Sequence, residues 1–189
     1  MSGKLFIVSA PSCAGKTSLV QELLKSDIGG RLSQYTTYTT KLPREGDVPG
    51  KDFHFVSQEE FLRRVRDGFF IEWSNAYCHY YGTPRDIKHK LNDGRSFIII
   101  LDRVGTKKIL EEIPSAITIW IFVSSIEELR SRMQLRGADG KEQMLLRMSL
   151  AEKEMLEEQE SPFYKFHINN SKFFESLAKL TDIIEKNIK

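Results

Sequence analysis

The chain has few cysteines, no long apolar run and no strong excess of charge of either sign. Two cysteines among 189 residues cannot build a disulfide framework, so we expect a reducing compartment. No apolar stretch approaches the ~20 residues of a membrane-spanning helix, and the amino-terminal apolar run is too short for a signal peptide. A net charge of +2 does not favour a dedicated nucleic-acid binder. We therefore expect a soluble, cytoplasmic protein that binds neither nucleic acid nor membranes.

The length and the order of the predicted elements favour one α/β domain. The chain is 40% hydrophobic, which is enough for a sizeable core. Apolar strands alternate with helical patterns near both ends, which is typical of a parallel sheet covered by helices. The strands predicted for this sheet are Lys4–Ser9, Ser96–Leu101, Ala116–Val123 and Phe166–Asn169. A helix is predicted over Thr106–Glu112, and residues 35–84 have the pattern of an inserted β-rich lobe.

The most informative segment lies near the amino terminus, where an apolar strand leads into a loop of small residues. The loop ends in Gly15-Lys16-Thr17 and opens a helical pattern, which is the arrangement of a phosphate-binding loop. In such a loop backbone N–H groups cradle phosphates, the lysine reaches the β- and γ-phosphates, and the threonine hydroxyl binds Mg²⁺. The residues predicted to bind ATP here are Ala10, Pro11, Ser12, Cys13, Ala14, Gly15, Lys16, Thr17 and Ser18. Ala10 stands where the pattern has glycine, which costs little if its φ is negative.

Three arginines flank a glycine-containing loop in the second half of the chain. Arg132 and Arg136 are four residues apart and therefore share a helix face, and Arg147 lies in the next helical pattern. Because the planar guanidinium binds phosphate through two hydrogen bonds, the three suit a lid that closes on a triphosphate. Glutamates nearby leave open the alternative of a solvent-exposed, salt-bridged surface.

Further segments spread along the chain carry a family resemblance together with the phosphate loop. They are Pro43–Val48, Gly50–Val56, Phe70–Trp73, Tyr80–Pro84, Asp102 with Gly105, and Arg136-Gly137. In order and spacing they resemble the guanylate kinases over nearly the whole chain. The resemblance implies an α/β fold with a P-loop NTPase-type parallel sheet flanked by helices. It also implies a core of residues 1–34, 85–125 and 160–189, an inserted β-rich GMP-binding lobe of residues 35–84, and a helical lid of residues 126–159.

The same resemblance implies an activity and assigns residues to it. The activity is transfer of the γ-phosphoryl of ATP to GMP, with Mg²⁺, in purine nucleotide metabolism. The implied catalytic residues are Lys16, Arg132, Arg136 and Arg147, with Thr17 as the metal ligand. The implied GMP-binding residues are Thr37, Lys41, Arg44, Phe53, Glu72, Tyr81, Thr83 and Asp102. Glu72 matches a carboxylate that accepts from guanine N1–H and the 2-amino group, and Asn169 matches an asparagine near the adenine of ATP.

Several matched positions carry residues that the family does not usually have. Thr37 replaces a serine, Ile100 an acidic residue and Val104 a glutamine. Lys41 replaces an arginine and so keeps the charge without the planar fork. Phe53 replaces a tyrosine and loses a hydrogen bond to a charged group, worth about 1.5–3 kcal/mol. These changes concern the affinity of the GMP pocket more than the reaction.

Two other functions stay open at the level of the sequence. One is a guanylate-kinase-like domain that has lost catalysis and binds partner proteins, although such domains tend to lose the nucleotide-binding residues that this chain keeps. The other is a P-loop kinase with a different phosphate acceptor, such as dGMP or a phosphorylated sugar, because a fold does not fix a substrate. The sequence leaves the oligomeric state open.

Overall fold

The computed structural model describes residues 2–44, 46–76, 78–136 and 140–188. The chain divides into two compact units. Unit 1 consists of Met1–Ile7 and Gly30–Ala116, and unit 2 consists of Val8–Gly29 and Ile117–Lys189. The described residues contain no helix that is long and apolar enough to cross a membrane.

Strands and helices alternate along most of the chain. The strands are β1 Leu5–Ser9, β2 Leu32–Gln34, β3 Thr37–Thr39, β4 Phe53–Phe55, β5 Phe70–Ala76, β6 His79–Pro84, β7 Ser96–Ile100, β8 Ile117–Phe122 and β9 Phe166–Asn169. The α-helices are α1 Lys16–Lys25, α2 Gln58–Arg66, α3 Ile87–Asn92, α4 Arg103–Glu112, α5 Ile126–Arg136, α6 Lys141–Glu160 and α7 Phe173–Asn187. The α/β prediction is confirmed.

One part of unit 1 is built on parallel strands in the order β2–β7–β1. β2 pairs with β7 in parallel, from Leu32 opposite Ser96 to Gln34 opposite Ile98. β1 and β7 are largely continuous apolar runs, as expected where helices cover both faces of a parallel sheet, whereas the short edge strand β2 is Leu-Ser-Gln. The buried side chains that form the core of this part are Leu5, Ile7, Tyr35, Ile71, Ile87, Leu91, Phe97, Ile99, Leu101 and Ile109.

The other part of unit 1 is a four-stranded sheet in the order β4–β3–β6–β5. β3 is parallel to β4, whereas β6 is antiparallel to both β3 and β5. α2 packs on this sheet through Phe61, whose ring stacks on those of Phe70 and Tyr80 at centroid distances of 4.6 and 5.5 Å. The side chain of Ser57 caps α2 by accepting from the Glu60 backbone N–H at 3.1 Å. This sheet confirms the β-rich pattern predicted for the middle of the chain.

Unit 2 contains strands in the order β1–β8–β9 and the helices α1, α5, α6 and α7. β8 and β9 are parallel, from Ile119 opposite Phe166 to Phe122 opposite Asn169. In α1 the apolar stripe formed by Leu19, Val20 and Leu23 is fully buried. Burial of such a stripe supplies most of the stability of a short helix.

The observed boundaries differ little from the predicted ones, with one informative exception. β9 has the predicted bounds, but α4 begins at Arg103 rather than Thr106. The reason is Asp102, whose side chain accepts from the Gly105 backbone N–H at 2.7 Å and so caps the helix three residues earlier.

Candidate nucleotide-binding sites

The phosphate-loop segment of unit 2 connects the end of β1 to the start of α1. Gly15 has φ +93°, in the left-handed region that favours glycine. Ala10 is buried and is not among the described non-glycine residues with positive φ, which are Cys13 and Cys78. Alanine therefore fits this position without backbone strain. Nζ of Lys16 lies 3.5 Å from the Ala10 carbonyl oxygen, so the ammonium group folds back over the loop.

Arg147 is the first of the predicted arginines that the structure places on the loop. It extends from α6, is 7% exposed, and donates from Nε and Nη2 to Oγ of Ser12 at 3.0 and 2.7 Å. A buried guanidinium on the loop creates a positive potential there, because the charge is shielded from water. This is the environment that an anionic ligand requires.

Arg132 extends from α5 and contacts the same loop. Its Nη1 donates to the Ala14 carbonyl at 3.4 Å, and its Nη2 donates to Glu128 at 2.6 Å and to the Asn170 carbonyl at 2.6 Å. The side chain of Asn170 also donates to the Ala14 carbonyl, at 2.8 Å. Sequence reasoning missed Asn170, although it directly follows a strand of the parallel sheet, where ligands of such sheets commonly bind.

Asn169 and Arg136 are two further predicted residues of unit 2. Nδ2 of Asn169 donates to Oγ of Ser124 at 2.8 Å, and its Oδ1 accepts from Ser171. Arg136 is the last residue of α5. Gly137, Ala138 and Asp139, which belong to the predicted lid loop, lie outside the described residues. The roles of Asn169 and Arg136 stay predictions.

The predicted metal ligand Thr17 lies in the exposed first turn of α1, next to Ser18. Within the described ranges, no three His, Cys, Asp or Glu side chains are arranged to hold a metal ion. Mg²⁺ in phosphate-transfer sites keeps several waters and is held by one or two protein oxygens together with substrate phosphates. The Thr17 hydroxyl is an oxygen ligand of that kind, so the residues present fit a magnesium ion that arrives with a nucleotide.

The four-stranded sheet of unit 1 carries five of the eight predicted GMP-binding residues on one face. Residues opposite each other on paired strands lie on the same face, and so do residues two apart. Glu72 is opposite Thr83, Ser74 and Thr39 are both opposite Tyr81, and Thr37 is opposite Phe53. The predicted residues that share this face are Thr37, Phe53, Glu72, Tyr81 and Thr83.

Glu72 is a buried carboxyl group on this face, and burial is the main influence on its pKa. It is 3% exposed, and its Oε1 accepts from Oγ1 of the buried Thr83 at 2.5 Å. Its Oε2 has no hydrogen-bond partner in the described part of the chain. Burial raises the pKa of the Glu72 carboxyl to about 7; the Thr83 hydrogen bond opposes this, and the charge of Asp102 adds to it. A ligand that brings hydrogen-bond donors would satisfy Oε2 and favour the ionised form.

Asp102 lies beside Glu72 and is held by two donors. The Ser74 hydroxyl donates to Oδ2 of Asp102, and the Gly105 N–H donates to its Oδ1. A Cβ atom on Gly105 would lie 2.9 Å from Oε2 of Glu72, so any larger residue at this position would require the carboxylate to shift. Sequence reasoning missed Ser74 as the residue that fixes Asp102, since the two are 28 residues apart.

Lys41 and Arg44 lie at the other end of the predicted GMP site. Nζ of Lys41 forms an ion pair with Asp47 at 2.7 Å and lies 5.3 Å from the centroid of the Phe53 ring. Asp47 also accepts from the Arg44 backbone N–H at 2.9 Å. Burial is the largest single influence and opposes ionisation of Asp47, but the hydrogen bonds from Lys41 and from the Arg44 N–H, together with the charges of both residues, outweigh it and lower the pKa of Asp47. Asp47 therefore holds the Lys41 side chain and the Arg44 backbone.

The fold and these sites together define a class of protein. A parallel α/β sheet, a strand–loop–helix segment whose loop leads into Gly15-Lys16-Thr17, and arginines on that loop define a P-loop kinase. Residues 2–187 match the sequence profile of the family described as guanylate kinase. The chain belongs to the guanylate kinase family.

Individual relatives agree with this assignment. A guanylate kinase from Shewanella sp. (strain MR-7) is 40% identical over 183 residues, which cover 96% of this chain and 86% of the relative. The crystal structure of guanylate kinase from Anaplasma phagocytophilum superposes with a TM-score of 0.80 at 25% identity, covering 99% of this chain and 87% of that one. Shikimate kinase from Bacteroides thetaiotaomicron shares the fold, with a TM-score of 0.51 at 12% identity over 97% and 99% of the two chains.

Proposed function

We propose that the protein transfers the γ-phosphoryl group of ATP to GMP and releases ADP and GDP. Membership of the guanylate kinase family supports this activity. The single observation that carries it is the buried carboxylate of Glu72, which has one oxygen bound to Thr83 and the other without a protein partner in the described residues. Guanine offers two adjacent donors, N1–H and the 2-amino group, which a carboxylate accepts together. Adenine has no such pair.

The phosphate of GMP is bound by the cationic end of the same face in this proposal. Lys41 and Arg44 supply positive charge, and Tyr81 supplies a hydroxyl. Asp47 holds Lys41 and the Arg44 backbone in place through contacts of 2.7 and 2.9 Å. Because the acceptor is already an ionised phosphate oxygen, the reaction needs no general base. Asp102 and Thr37 complete the predicted base-binding region.

Catalysis in this proposal consists of positioning and charge neutralisation, as in other phosphoryl transfers. Lys16 and the loop N–H groups bind the phosphates of ATP. Thr17 would hold Mg²⁺, and a bound Mg²⁺ would supply further charge neutralisation for the phosphate oxygens. The arginines Arg132, Arg136 and Arg147 stabilise charge on the transferred group. Asn169 lies near the adenine.

Closure of two parts of the chain over a common core belongs to the proposal. Residues 1–34, 85–125 and 160–189 form the core, residues 35–84 the GMP-binding lobe and residues 126–159 the lid. Closure of such lobes excludes water, which would otherwise compete with GMP for the phosphoryl group.

A coupled assay of ADP release tests the proposal with a panel of acceptors: GMP, dGMP, IMP, AMP and UMP. We expect turnover with GMP, and weaker turnover with IMP, which keeps N1–H but lacks the 2-amino group. AMP and UMP should give none. Equal turnover with AMP and GMP would contradict the role of Glu72, and a preference for dGMP would identify another acceptor.

The same assay with Lys16→Ala tests the donor site. We expect kcat to fall by roughly 10³-fold, because the variant removes a charge from the transferring phosphates. Lys25→Ala removes an exposed lysine from the same helix and should leave kcat unchanged. Chelation of Mg²⁺ should abolish the turnover of the wild type and of the Lys25→Ala variant. Near-normal activity of Lys16→Ala would contradict the proposal.

A further inference from the structure

Asn170 connects the end of β9 to the phosphate-loop segment. It directly follows β9, and its backbone N–H donates to the Phe122 carbonyl at the end of β8, at 2.7 Å. Its side chain is 3% exposed and donates from Nδ2 to the Ala14 carbonyl at 2.8 Å. The backbone of Asn170 is thus fixed by one strand, while its side chain holds one carbonyl of the loop.

The Ala14–Gly15 peptide is the part of the loop that this contact orients. In a planar trans peptide the C=O and the N–H point in opposite directions. Since the Ala14 carbonyl points at Asn170, the Gly15 N–H points the other way. In a phosphate-binding loop the backbone N–H groups are the phosphate ligands. Rotation of this peptide would present a carbonyl oxygen where a donor is needed.

Arg132 reinforces the same orientation. Its Nη1 shares the Ala14 carbonyl at 3.4 Å, and its Nη2 donates to the backbone carbonyl of Asn170 at 2.6 Å. The Ala14 carbonyl, Asn170 and Arg132 therefore each contact the other two. A change at Asn170 should alter both the peptide and the position of the arginine.

Two further observations separate this role from simple packing. A Cβ atom on Gly15 would lie 2.3 Å from Nδ2 of Asn170, so the amide lies directly against the glycine. Oδ1 of Asn170 is buried and has no partner among the residues described. An unsatisfied buried oxygen is unfavourable for stability and calls for a reason other than stability. The need for the Nδ2 donor is such a reason.

We propose that Asn170 is a positioning residue for phosphoryl transfer, which holds the Ala14–Gly15 peptide with its N–H toward the donor phosphates and ties Arg132 to that peptide. Asn170 itself touches no reacting atom. The inference rests on the proposed ATP-dependent activity, since it concerns the loop that binds the donor.

Two variants test the proposal by steady-state kinetics and by calorimetry with Mg·ATP. Asn170→Ala removes the donor and the orphan oxygen together. Asn170→Asp keeps the shape but places an acceptor against the Ala14 carbonyl. We expect kcat/KM for ATP to fall on the order of 10²-fold in both variants, with KM for GMP changed less than about twofold. Asn92→Asp, an exposed control with the same charge change, should match the wild type.

A double-variant cycle with Arg132→Ala gives a readout that a structural role would not move. If both residues act on one peptide, the double variant should lose less activity than the product of the two single losses. If the loss of activity in the double variant equals the product of the two single losses, the proposal is overturned. Wild-type values of kcat/KM for ATP in the Asn170 variants, measured below their melting temperatures, would also overturn it. Failure of both Asn170 variants to reach the wild-type circular dichroism spectrum would show a folding role and overturn it too. The affinity for Mg·ATP, measured by calorimetry, tests the role of Asn170 even if the wild-type protein does not phosphorylate GMP. Failure of the Asn170 proposal can therefore be distinguished from failure of the proposed function.

Discussion

Glu72 and Thr83 face each other across β5 and β6, and the threonine hydroxyl donates a hydrogen bond of 2.5 Å to Oε1 of the carboxylate. Glu72 is 3% exposed and Thr83 is fully buried. The second oxygen, Oε2, has no partner in the ranges that the structure describes. Burial of an ionised carboxylate without full hydrogen bonding is costly. Ionisation of Glu72 should therefore affect both the recognition of the acceptor base and the free energy of unfolding.

The first prediction concerns the pH dependence of activity. Glu72 has to be ionised to accept both guanine donors, and burial raises the pKa of its carboxyl to about 7. We expect kcat/KM for GMP to rise with pH through about 7 and then level off, because this ratio reports ionisations of the free enzyme. GMP itself titrates near pH 6, so the profile of Glu72→Gln serves as the reference. The same profile shape in both proteins would contradict the prediction.

The second prediction concerns stability. The pKa of Glu72 is higher in the folded state than in the unfolded chain. Ionisation of Glu72 therefore leaves the free energy of unfolding unchanged at low pH, where the carboxyl is protonated in both states, and lowers it as the pH rises toward 7. Glu72→Gln removes the ionisable group and keeps an oxygen for Thr83. We expect it to raise the free energy of unfolding by about 3 kcal/mol at pH 8 and by less than about 1 kcal/mol at pH 5. Urea denaturation at the two pH values measures both differences, and an equal effect at both would refute the prediction.

The third prediction concerns the space beside Glu72. In Gly105→Ala the added Cβ would lie 2.9 Å from Oε2 of Glu72 and 3.4 Å from Oδ1 of Asp102. Alanine is favoured over glycine in a helix by about 1 kcal/mol, so α4 should remain folded. We expect KM for GMP to rise about tenfold, as for a weakened hydrogen bond to a charged group, with KM for ATP unchanged. The control is Gly30→Ala, whose Cβ would meet no atom within 4 Å. A matching rise in KM for ATP would argue against this reasoning.

The fourth prediction concerns the phosphate end of the acceptor site. The Phe53 ring lies 6.0 Å from the Tyr81 ring and 5.3 Å from Nζ of Lys41. Phe53→Tyr adds a hydroxyl that can donate to the phosphate, so we expect KM for GMP to fall about tenfold, the lower end of the range for hydrogen bonds to charged groups. Phe55→Tyr adds the same group near the same lysine, 5.8 Å from the ring centroid, and serves as the control. An equal effect of both variants would show a general effect of polarity instead.

Local sequence patterns predicted much of the fold. The continuous apolar runs of β1, β7 and β8 could be recognised because a strand buried on both faces needs no polar side chain. The start of α4 was predicted too late, although Asp102 is a favoured capping residue, because the apolar periodicity begins only after it. The pairing of Ser74 with Asp102 could not be predicted, since it depends on how β5 packs against α4.

The sequence by itself determined the strand, the glycine-containing loop and the helix around Lys16, together with the family resemblance. A loop of this kind forms from contiguous residues, so its pattern is visible in the chain. Only the tertiary structure decided that Arg147 reaches Ser12 across 135 positions, that Asn170 holds the Ala14 carbonyl, and that Glu72 is buried. Burial and long-range hydrogen bonds depend on the packing of distant elements. For the same reason, the raised pKa of Glu72 is a property of the folded protein and not of its sequence motif.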